Sequence, residues 1–363
     1  MPSDLSGRHK CFSCRRKYLV RIASEGSGVY LLTCFLETTL KHIITGGDGF
    51  LGTELAKKLV ALGEKVLAID IKKTPSPHYD HIDYMHVDIT DKAAVETIPV
   101  EDDDIIYHFA ARLLVPIIKR GERQEYFWSV LYTGTENLLE YLEAKTGCRK
   151  MIYYTTDMVY GHTLENPRPE SHARVPLGPY GNAKYESELL CEKYRERGFN
   201  ITLFRPRLII GPGRLGILES LFKLIDKNLP VPTIGNGKNF YQFISVSDCA
   251  EICLAAVEKG VPNEAYNVGS LNSPTVNELL KTLIKSAGSK SIVIPTPAFA
   301  VKFVLAILDK LNIPLLDPEQ YLIADETCIL SMEKAKKELD WEPVDDDTEM
   351  LIAAYTSWKE SLR

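Results

Sequence analysis

Residues 41–52 read KHIITGGDGFLG and residues 53–60 read TELAKKLV, and this stretch decides the fold. A short β-type run leads into a glycine-rich turn that includes Gly46, Gly49 and Gly52, after which apolar residues recur at helical spacing. Glycines between a strand and a helix let the backbone turn tightly and let a pyrophosphate approach the helix N-terminus. The alternative is a glycine-rich turn that binds nothing. The strand–turn–helix context favours a dinucleotide-binding unit.

An acidic residue closes the next predicted strand, residues 65–70. Asp70 lies eighteen residues after Gly52, where a carboxylate accepts hydrogen bonds from an adenosine ribose and repels a 2′-phosphate. The expected cofactor is therefore NAD. Lys72 and Lys73 follow after one residue, and their cations weaken the preference for NAD over NADP.

Short strands and helical stretches alternate along the rest of the chain. This alternation predicts an α/β fold built on a doubly wound parallel (Rossmann) sheet. The further predicted strands cover residues 84–87, 105–109, 151–155 and 201–204, and the clearest predicted helices cover residues 125–145 and 180–197.

The composition is that of an ordinary globular protein and excludes several classes. Hydrophobic residues make up 45%, charged residues make up 25% and the net charge is −6, so a general nucleic-acid binder is not expected. The eight cysteines lack the spacing of a disulfide framework, which favours a reducing, cytoplasmic location. No apolar run reaches the length that a membrane span needs.

Residues 1–39 are expected to be an appended, poorly ordered segment. Six arginines and lysines between residues 8 and 21 precede a short apolar stretch, residues 29–36, an order that mimics a signal peptide without its cleavage site. Cys11 and Cys14 lack a second pair at zinc-site spacing, so no metal is predicted. Deleting this segment is expected to leave folding and catalysis nearly unchanged.

The apolar segment 298–308 predicts a buried or docking helix. Lys302 interrupts the segment, and Asp309 and Lys310 follow it, so it is too short and too charged to span a membrane. A lid over a hydrophobic substrate and a contact with a membrane surface are the alternatives.

Tyr180 and Lys184 are four residues apart on a predicted helix and therefore share one face. A lysine ammonium favours the phenolate and lowers the tyrosine pKa, which a proton-transferring tyrosine needs near neutral pH. Residues 155–161 follow the preceding strand at the carboxyl edge, where doubly wound sheets bind ligands. Most Tyr-x-x-x-Lys pairs are solvated helix faces, and it is this context that favours catalysis.

Motifs spread from Leu40 to Trp341 resemble those of the extended short-chain dehydrogenase/reductases, the NAD-dependent epimerase/dehydratase family. They occur in the family's order, which makes the series specific for the family and much less specific for one reaction. The matching segments are residues 45–52, 88–89, 108–111, 159–161, 180–184, 205–206, 235–237, 243–248, 266–269 and 340–343.

The resemblance implies a role for each matching position. Tyr180 would be the acid/base on a substrate hydroxyl or ketone, Lys184 would hold the nicotinamide ribose, and Thr156 would hydrogen-bond the same substrate oxygen as Tyr180. The implied cofactor-binding residues are Gly46, Gly49, Phe50, Leu51, Gly52, Asp70, Asp88, Ile89, Phe109, Ala110, Ala111, Tyr180, Lys184, Pro206 and Leu208.

The resemblance also implies how the chain is organised. Residues 40–204 would form the NAD-binding domain and residues 205–363 mainly a smaller substrate-binding lobe, with residues 240–268 returning to the NAD-binding domain. A nucleotide sugar would be the small-molecule substrate, and the helices 125–145 and 180–197 would form a homodimer. Four leucines would supply the apolar surface of that dimer: Leu138, Leu139, Leu189 and Leu190.

Some positions near the predicted catalytic residues depart from the family's pattern. Met158 stands in place of the glutamate of the dehydratase triad, and a thioether cannot transfer a proton, so 4,6-dehydration is not expected. Asp157 beside it is either a further catalytic residue or a carboxylate that caps a loop. Leu131 stands where many members have a cofactor-contacting asparagine.

The substrate side departs from the pattern as well. Tyr241 stands where an arginine often binds the diphosphate of a nucleotide sugar. Arg207 and Arg214 are candidate replacements, because a guanidinium fork suits phosphate, or else they are two surface arginines. Together with Tyr241 they are the candidate substrate-binding residues.

Three functional hypotheses follow. The leading one is a nucleotide-sugar epimerase that acts through a transient keto intermediate. The second is an NAD(P)-dependent reductase or dehydrogenase of a keto-sugar or of a less polar, sterol- or flavonol-like substrate, which the hydrophobic segment 295–316 favours. The third is a non-catalytic NAD-binding regulator, which the presence of Thr156, Tyr180 and Lys184 disfavours.

Overall fold

The computed structural model describes residues 40–77, 79, 82–213, 216 and 218–362. The predictions made for residues 1–39 and for Arg214 therefore lie outside the described residues. The division of the chain at residues 204 and 205 stays a prediction.

Strands and helices alternate through most of the described chain. The strands, numbered β1 to β11, are Lys41–Thr45, Lys65–Asp70, Asp83–His86, Ile105–His108, Lys150–Tyr154, Asn200–Pro206, Leu208–Ile210, Val231–Ile234, Phe243–Ser245, Ala265–Val268 and Val293–Thr296. The α-helices, numbered α1 to α12, are Phe50–Ala61, Lys92–Val95, Arg123–Trp128, Gly134–Lys145, Pro179–Glu196, Leu218–Asp226, Val246–Glu258, Val276–Ser286, Ala298–Lys310, Pro318–Tyr321, Glu333–Leu339 and Asp347–Ser361.

Among the described strands, seven form one parallel sheet in the order β3-β2-β1-β4-β5-β6-β10. The strand β1 lies inside the sheet and pairs with β2 on one side and with β4 on the other. The strand order reverses there, and open α/β sheets bind their ligands in the crevice outside the strand ends at such a point. The predicted doubly wound parallel sheet is confirmed.

Side chains point alternately to the two faces of the sheet along each strand, so each face presents apolar groups. Helices cover both faces. Ile44 belongs to the core that α1 and α7 form with the sheet, and Ile43 belongs to the core formed with α4 and α5. Both isoleucines are fully buried. Only these two of the five residues of β1 are apolar, so the glycine turn and helix that follow β1, rather than an apolar run, are what allowed it to be recognised from the sequence.

A smaller group of elements packs around a separate core. Phe222 of α6, Leu283 of α8 and Trp358 of α12 lie in this third cluster. The strand β8 pairs with β11, and β7 pairs with β9, in two-stranded parallel sheets. The chain returns to the large sheet at β10, which pairs with β6.

The helix predicted over residues 125–145 is interrupted. A π-helical turn, Ser129–Thr133, connects α3 to α4. Leu131 lies in this turn and is fully buried, and its carbonyl accepts hydrogen bonds from the hydroxyls of Thr135 at 2.6 Å and Ser187 at 2.7 Å. Leu131 therefore joins α4 to α5 through its backbone, rather than contributing a polar side chain as the family's asparagine would.

The leucines predicted to form a dimer surface are mostly buried within the protomer. Leu138 and Leu139 of α4 and Leu190 of α5 lie in the core beneath the sheet. Leu189 is half-buried. The apolar spacing that suggested a subunit contact therefore serves the protomer's own core, and three of the four leucines were assigned wrongly.

The helix predicted at residues 298–308 is confirmed as α9, but it is not a buried helix. Leu305 and Asp309 are buried, whereas Phe299 and Phe303 are exposed. Within the part of the chain that the structure describes, no helix is long and apolar enough to cross a membrane.

Candidate functional site

The loop between β1 and α1 is shaped by glycines that a side chain would disrupt. Gly46 has a φ of +69°, and a Cβ there would lie 2.7 Å from the Ala110 nitrogen. A Cβ on Gly52 would lie 2.7 Å from the Gly47 carbonyl oxygen. Gly49 precedes α1 and has no side chain to cap it. A diphosphate fits this loop, because the N-terminus of a helix and its dipole favour negative charge.

Asp70 ends β2 beside the glycine loop. Its carboxylate accepts hydrogen bonds from the backbone nitrogens of Asp48 at 3.1 Å and Lys72 at 3.2 Å. The backbone of two neighbouring segments therefore fixes the position of Asp70 at the edge where the cofactor's adenosine ribose is expected.

The Asp48 side chain pairs with Lys72. Its buried carboxylate accepts hydrogen bonds from the Lys72 ammonium at 2.7 Å and the Ser76 hydroxyl at 2.9 Å. Burial would raise the pKa of the Asp48 carboxyl, but these hydrogen bonds outweigh it, and the pKa lies below its ordinary value. The sequence analysis expected the Lys72 cation to weaken the preference for NAD over NADP. In the structure, this cation already pairs with Asp48.

A cleft of about 820 Å³ follows the carboxyl ends of the strands from this loop. It brings together every predicted site residue that the structure describes, while Arg214 lies outside the described residues. The roles of these residues stay predictions. They are Gly46, Gly49, Phe50, Leu51, Gly52, Asp70, Asp88, Ile89, Phe109, Ala110, Ala111, Thr156, Asp157, Tyr180, Lys184, Pro206, Arg207, Leu208 and Tyr241.

Two elements carry the predicted catalytic residues. Thr156 follows β5 and begins a 3-10 turn, where its hydroxyl accepts a hydrogen bond from the Met158 nitrogen at 3.2 Å. Tyr180 is the second residue of α5, and Lys184 follows one turn later. The Tyr180 ring meets the Phe127 ring edge to face at 5.4 Å between centroids. All three side chains line the cleft.

Lys184 is held by groups of the strand β5. Its ammonium donates hydrogen bonds to the Tyr154 carbonyl at 2.7 Å and to the Tyr153 hydroxyl at 3.3 Å. Burial lowers the pKa of Lys184 to about 7, because the charged form loses its hydration. Lys184 can therefore exist with or without its proton near neutral pH.

Glu319 is a residue of this site that the sequence analysis missed. It lies on α10, is buried, and accepts hydrogen bonds from the backbone nitrogens of Tyr180 and Gly181, each at 2.8 Å. A Cβ on Gly178 or Gly181 would come within 2.8 Å of the Glu319 side chain. A carboxylate from a distant segment thus caps the catalytic helix. Its only sequence signal is the pair of glycines flanking Tyr180, where α5 has no cap of its own.

Asp157 and Arg207 form a buried ion pair. The Asp157 carboxylate accepts a hydrogen bond from Arg207 at 2.6 Å, and the Arg207 guanidinium stacks over the Tyr241 ring at 4.8 Å. Burial alone would lower the pKa of Arg207, but Asp157 raises it above its ordinary value. Arg207 is therefore not a surface arginine, whereas the role of Asp157 stays a prediction.

The far end of the cleft is apolar. The cations that line the described part of the cleft are Arg112, Lys184 and Arg207, and each already has a partner. Arg112 donates a hydrogen bond to the Tyr126 carbonyl at 3.0 Å, and the other two have the partners given above. The apolar lining residues beyond them are Leu113, Leu114, Val115, Met158, Ile234, Leu316, Ile323 and Ala324.

Comparison with known proteins places this site in a family. The sequence model of the NAD dependent epimerase/dehydratase family matches residues 42–269. An uncharacterized protein of Sinorhizobium fredii, y4nG, is 30% identical over 342 residues, which covers 94% of this chain and 84% of that protein. The dTDP-D-glucose 4,6-dehydratase of Mus musculus is 28% identical over 257 residues, which covers 67% of this chain and 72% of the mouse protein.

One solved structure is similar in fold to most of this chain. It is the UDP-glucose 4-epimerase of Thermotoga maritima, determined with UDP-glucose. The TM-score is 0.73 at 26% sequence identity, and the match covers 89% of this chain and 100% of that one. Relatives of this chain thus include both an epimerase and a dehydratase.

Proposed function

Because the chain belongs to the NAD dependent epimerase/dehydratase family, we propose that it is a nucleotide-sugar epimerase that acts through a transient keto intermediate. One observation carries the proposal: Thr156, Tyr180 and Lys184 line the same cleft as the glycine loop. Bound NAD supplies a reversible hydride acceptor for such a reaction. A non-catalytic NAD-binding protein would not need these three side chains together.

Tyr180 serves as the acid/base in this proposal. Its phenolate accepts the proton of the sugar hydroxyl while the carbon that bears the hydroxyl is oxidised, and the resulting phenol returns the proton once the ketone has presented its other face. Thr156 assists by hydrogen-bonding the same substrate oxygen. Its hydroxyl oxygen already accepts a hydrogen bond from the Met158 nitrogen, so its own hydrogen is available to the substrate.

Lys184 stabilises the phenolate form of Tyr180 and holds the nicotinamide ribose. The two side chains are one helical turn apart, and both are buried. A cation near a phenol lowers the phenol's pKa, and it does so more strongly away from water. Because the pKa of Lys184 is itself about 7, this effect weakens as the pH rises above neutral.

The residues of the glycine loop and of β2 bind NAD in this proposal. The loop receives the diphosphate, and Asp70 accepts hydrogen bonds from the adenosine ribose. The pairing of Lys72 with Asp48 supports NAD over NADP, because it engages one of the two lysines that follow Asp70 and could bind a 2′-phosphate.

Met158 argues against 4,6-dehydration, although several relatives are dehydratases. Dehydration needs a group that removes a proton from the carbon next to the ketone, and a thioether cannot do so. Asp157 does not replace that group in this proposal, because its carboxylate is committed to Arg207 at 2.6 Å. Asp157 and Arg207 instead fix the loop that carries Thr156.

A second candidate function is favoured by the apolar end of the cleft. A nucleotide sugar brings two phosphates, yet each cation that lines the described part of the cleft already has a partner. A reductase or dehydrogenase of a less polar hydroxyl or ketone would use the same Tyr180 chemistry with an apolar substrate. Arg214, which lies outside the described residues, is the remaining candidate for binding the diphosphate of a nucleotide sugar.

The test is to incubate the purified protein with a panel of nucleotide sugars, with and without added NAD. Products are identified by mass and NMR, and NADH by absorbance. An epimer with no net NADH supports the epimerase, and net NADH with an oxidised product supports the dehydrogenase. Tyr180→Phe should lose either activity, while Tyr132→Phe, which changes a half-buried tyrosine of the π-helical turn, is the matched control.

A further inference from the structure

The helix α9 turns two of its three charged side chains toward the protein and several large apolar side chains outward. Lys302 pairs with Asp325, and Asp309 accepts a hydrogen bond from Arg123 at 2.6 Å, so the charges on this side face the protein. On the outward side Phe299 is 80% exposed and Phe303 is 66% exposed. Residues four apart lie on one face, so an ordinary surface helix would show the opposite arrangement.

The apolar surface continues beyond the helix. We call it the α9 face and define it by nine exposed residues: Phe299, Phe303, Val304, Ile307, Leu311, Ile313, Leu315, Leu113 and Val115. The loop that carries Leu113 and Val115 contacts the C-terminal end of α9, where the Arg120 nitrogen donates a hydrogen bond to Asn312 at 3.2 Å. Contiguous apolar patches of this kind mark interaction sites on soluble proteins.

Cations predominate at the margin of the α9 face. Lys310 lies on its outward stripe, and Lys119 and Arg120 are exposed on the adjoining loop, against the exposed carboxylates of Glu122 on that loop and Glu125 at the start of α3. The carboxylates of Asp317 and Glu319 nearby are buried. This local excess of positive charge occurs in a chain whose net charge is −6.

We propose that the α9 face docks the protein on an anionic lipid surface. An interfacial helix places an apolar stripe among the acyl chains and basic residues among the headgroups, and the α9 face offers both. The charge also indicates an anionic occupant. A neutral apolar partner would offer no opposite charge to Lys119, Arg120 and Lys310.

The α9 face leads into the cleft. Leu113 and Val115 belong to both, and Leu316, which follows the α9 face in the chain, lines the cleft too. A substrate that carries an apolar chain could therefore reach Tyr180 from the lipid surface. This last step rests on the proposed function, whereas the docking itself does not.

The test is co-sedimentation of the full chain with lipid vesicles, which needs neither substrate nor cofactor. The vesicles contain phosphatidylcholine alone, or phosphatidylcholine with 30% phosphatidylglycerol. The chain should bind the anionic vesicles, bind the neutral ones less, and be released by salt. The double variant Phe299→Ser/Phe303→Ser should lower the partition coefficient more than tenfold, because it removes the two most exposed aromatic side chains that the acyl chains would bury.

Controls keep the result interpretable. Val344→Ser and Leu164→Ser change residues that are 87% and 77% exposed outside the α9 face, and both variants should bind like the original chain. An unchanged melting temperature and NAD affinity in the Phe299→Ser/Phe303→Ser variant show that it still folds.

Two outcomes overturn the proposal. One is sedimentation that the double variant does not reduce, which would place lipid binding elsewhere in the chain. The other is no sedimentation with either vesicle, together with a self-association that the double variant abolishes, which would make the α9 face a contact between copies of this chain. A failure of the nucleotide-sugar test above would leave the vesicle result intact, so the two proposals fail separately.

Discussion

Replacing Asp48 should weaken the preference for NAD. The Lys72 ammonium lies 2.7 Å from the Asp48 carboxylate, and Asp48→Ala would release it beside Asp70, where the 2′-phosphate of NADP would be bound. A hydrogen bond to a charged group contributes about 1.5–3 kcal/mol. Because the Lys72 side chain is 54% exposed, we take the lower value, which corresponds to about tenfold in affinity.

The assay is isothermal titration of NAD and NADP into the full chain. In Asp48→Ala the Kd for NADP should fall about tenfold, while the Kd for NAD should change less than about threefold, since Asp70 still serves the ribose. The double variant Asp48→Ala/Lys72→Ala should lose the gain, and Lys72→Ala alone should show none. A gain that survives the removal of Lys72, or no gain at all, would refute the argument that Asp48 neutralises this lysine.

Three further predictions concern the catalytic helix and the assembly. Tyr180→Phe should lower kcat/KM by several orders of magnitude with NAD affinity kept, because the phenol moves a proton and does not anchor the cofactor; steady-state kinetics with near-normal turnover would count against it. Burial raises the pKa of Glu319 from 4.5 to about 7, so the folded state keeps a proton that the unfolded state releases. The free energy of unfolding should therefore fall between pH 4.5 and pH 7, by up to roughly 3 kcal/mol more than it falls in Glu319→Gln. Urea titrations in which the free energy of unfolding changes equally with pH in both proteins would contradict this. Light scattering should show a dimer, formed through the half-buried Leu189 rather than through the buried leucines, and a monomer at micromolar concentration would contradict it.

The sequence predicted the sheet and most of the cleft because the signals are local. The glycines after β1 and the acid after β2 each sit next to the strand that positions them. A parallel sheet then brings the carboxyl ends of its strands together at one edge, independently of the conformation of the loops. Residues 125–145 were harder to assign, because an amphipathic period cannot distinguish a continuous α-helix from one with a π-helical turn.

The remaining features depend on contacts between segments far apart in the chain. Glu319 caps a helix that begins 140 residues earlier, at Pro179. In the sequence, the glycines beside Tyr180 are the one sign of this contact. The sequence alone could not show whether Leu138 packs in the protomer's own core or against a second subunit, because both arrangements need the same apolar spacing. The outward face of α9 could not be foreseen either, because the apolar sequence alone does not say which side meets the protein.

The most direct test of the proposed epimerase follows one hydrogen atom. A nucleotide sugar that the panel identifies as substrate is deuterated at the carbon to be oxidised and converted to its epimer, and the product is read by NMR. If Tyr180 moves only the hydroxyl proton while the hydride leaves and returns within one site, the epimer keeps its deuterium at the same carbon. Loss of deuterium to water, or its accumulation in released NADH, would contradict the proposed function.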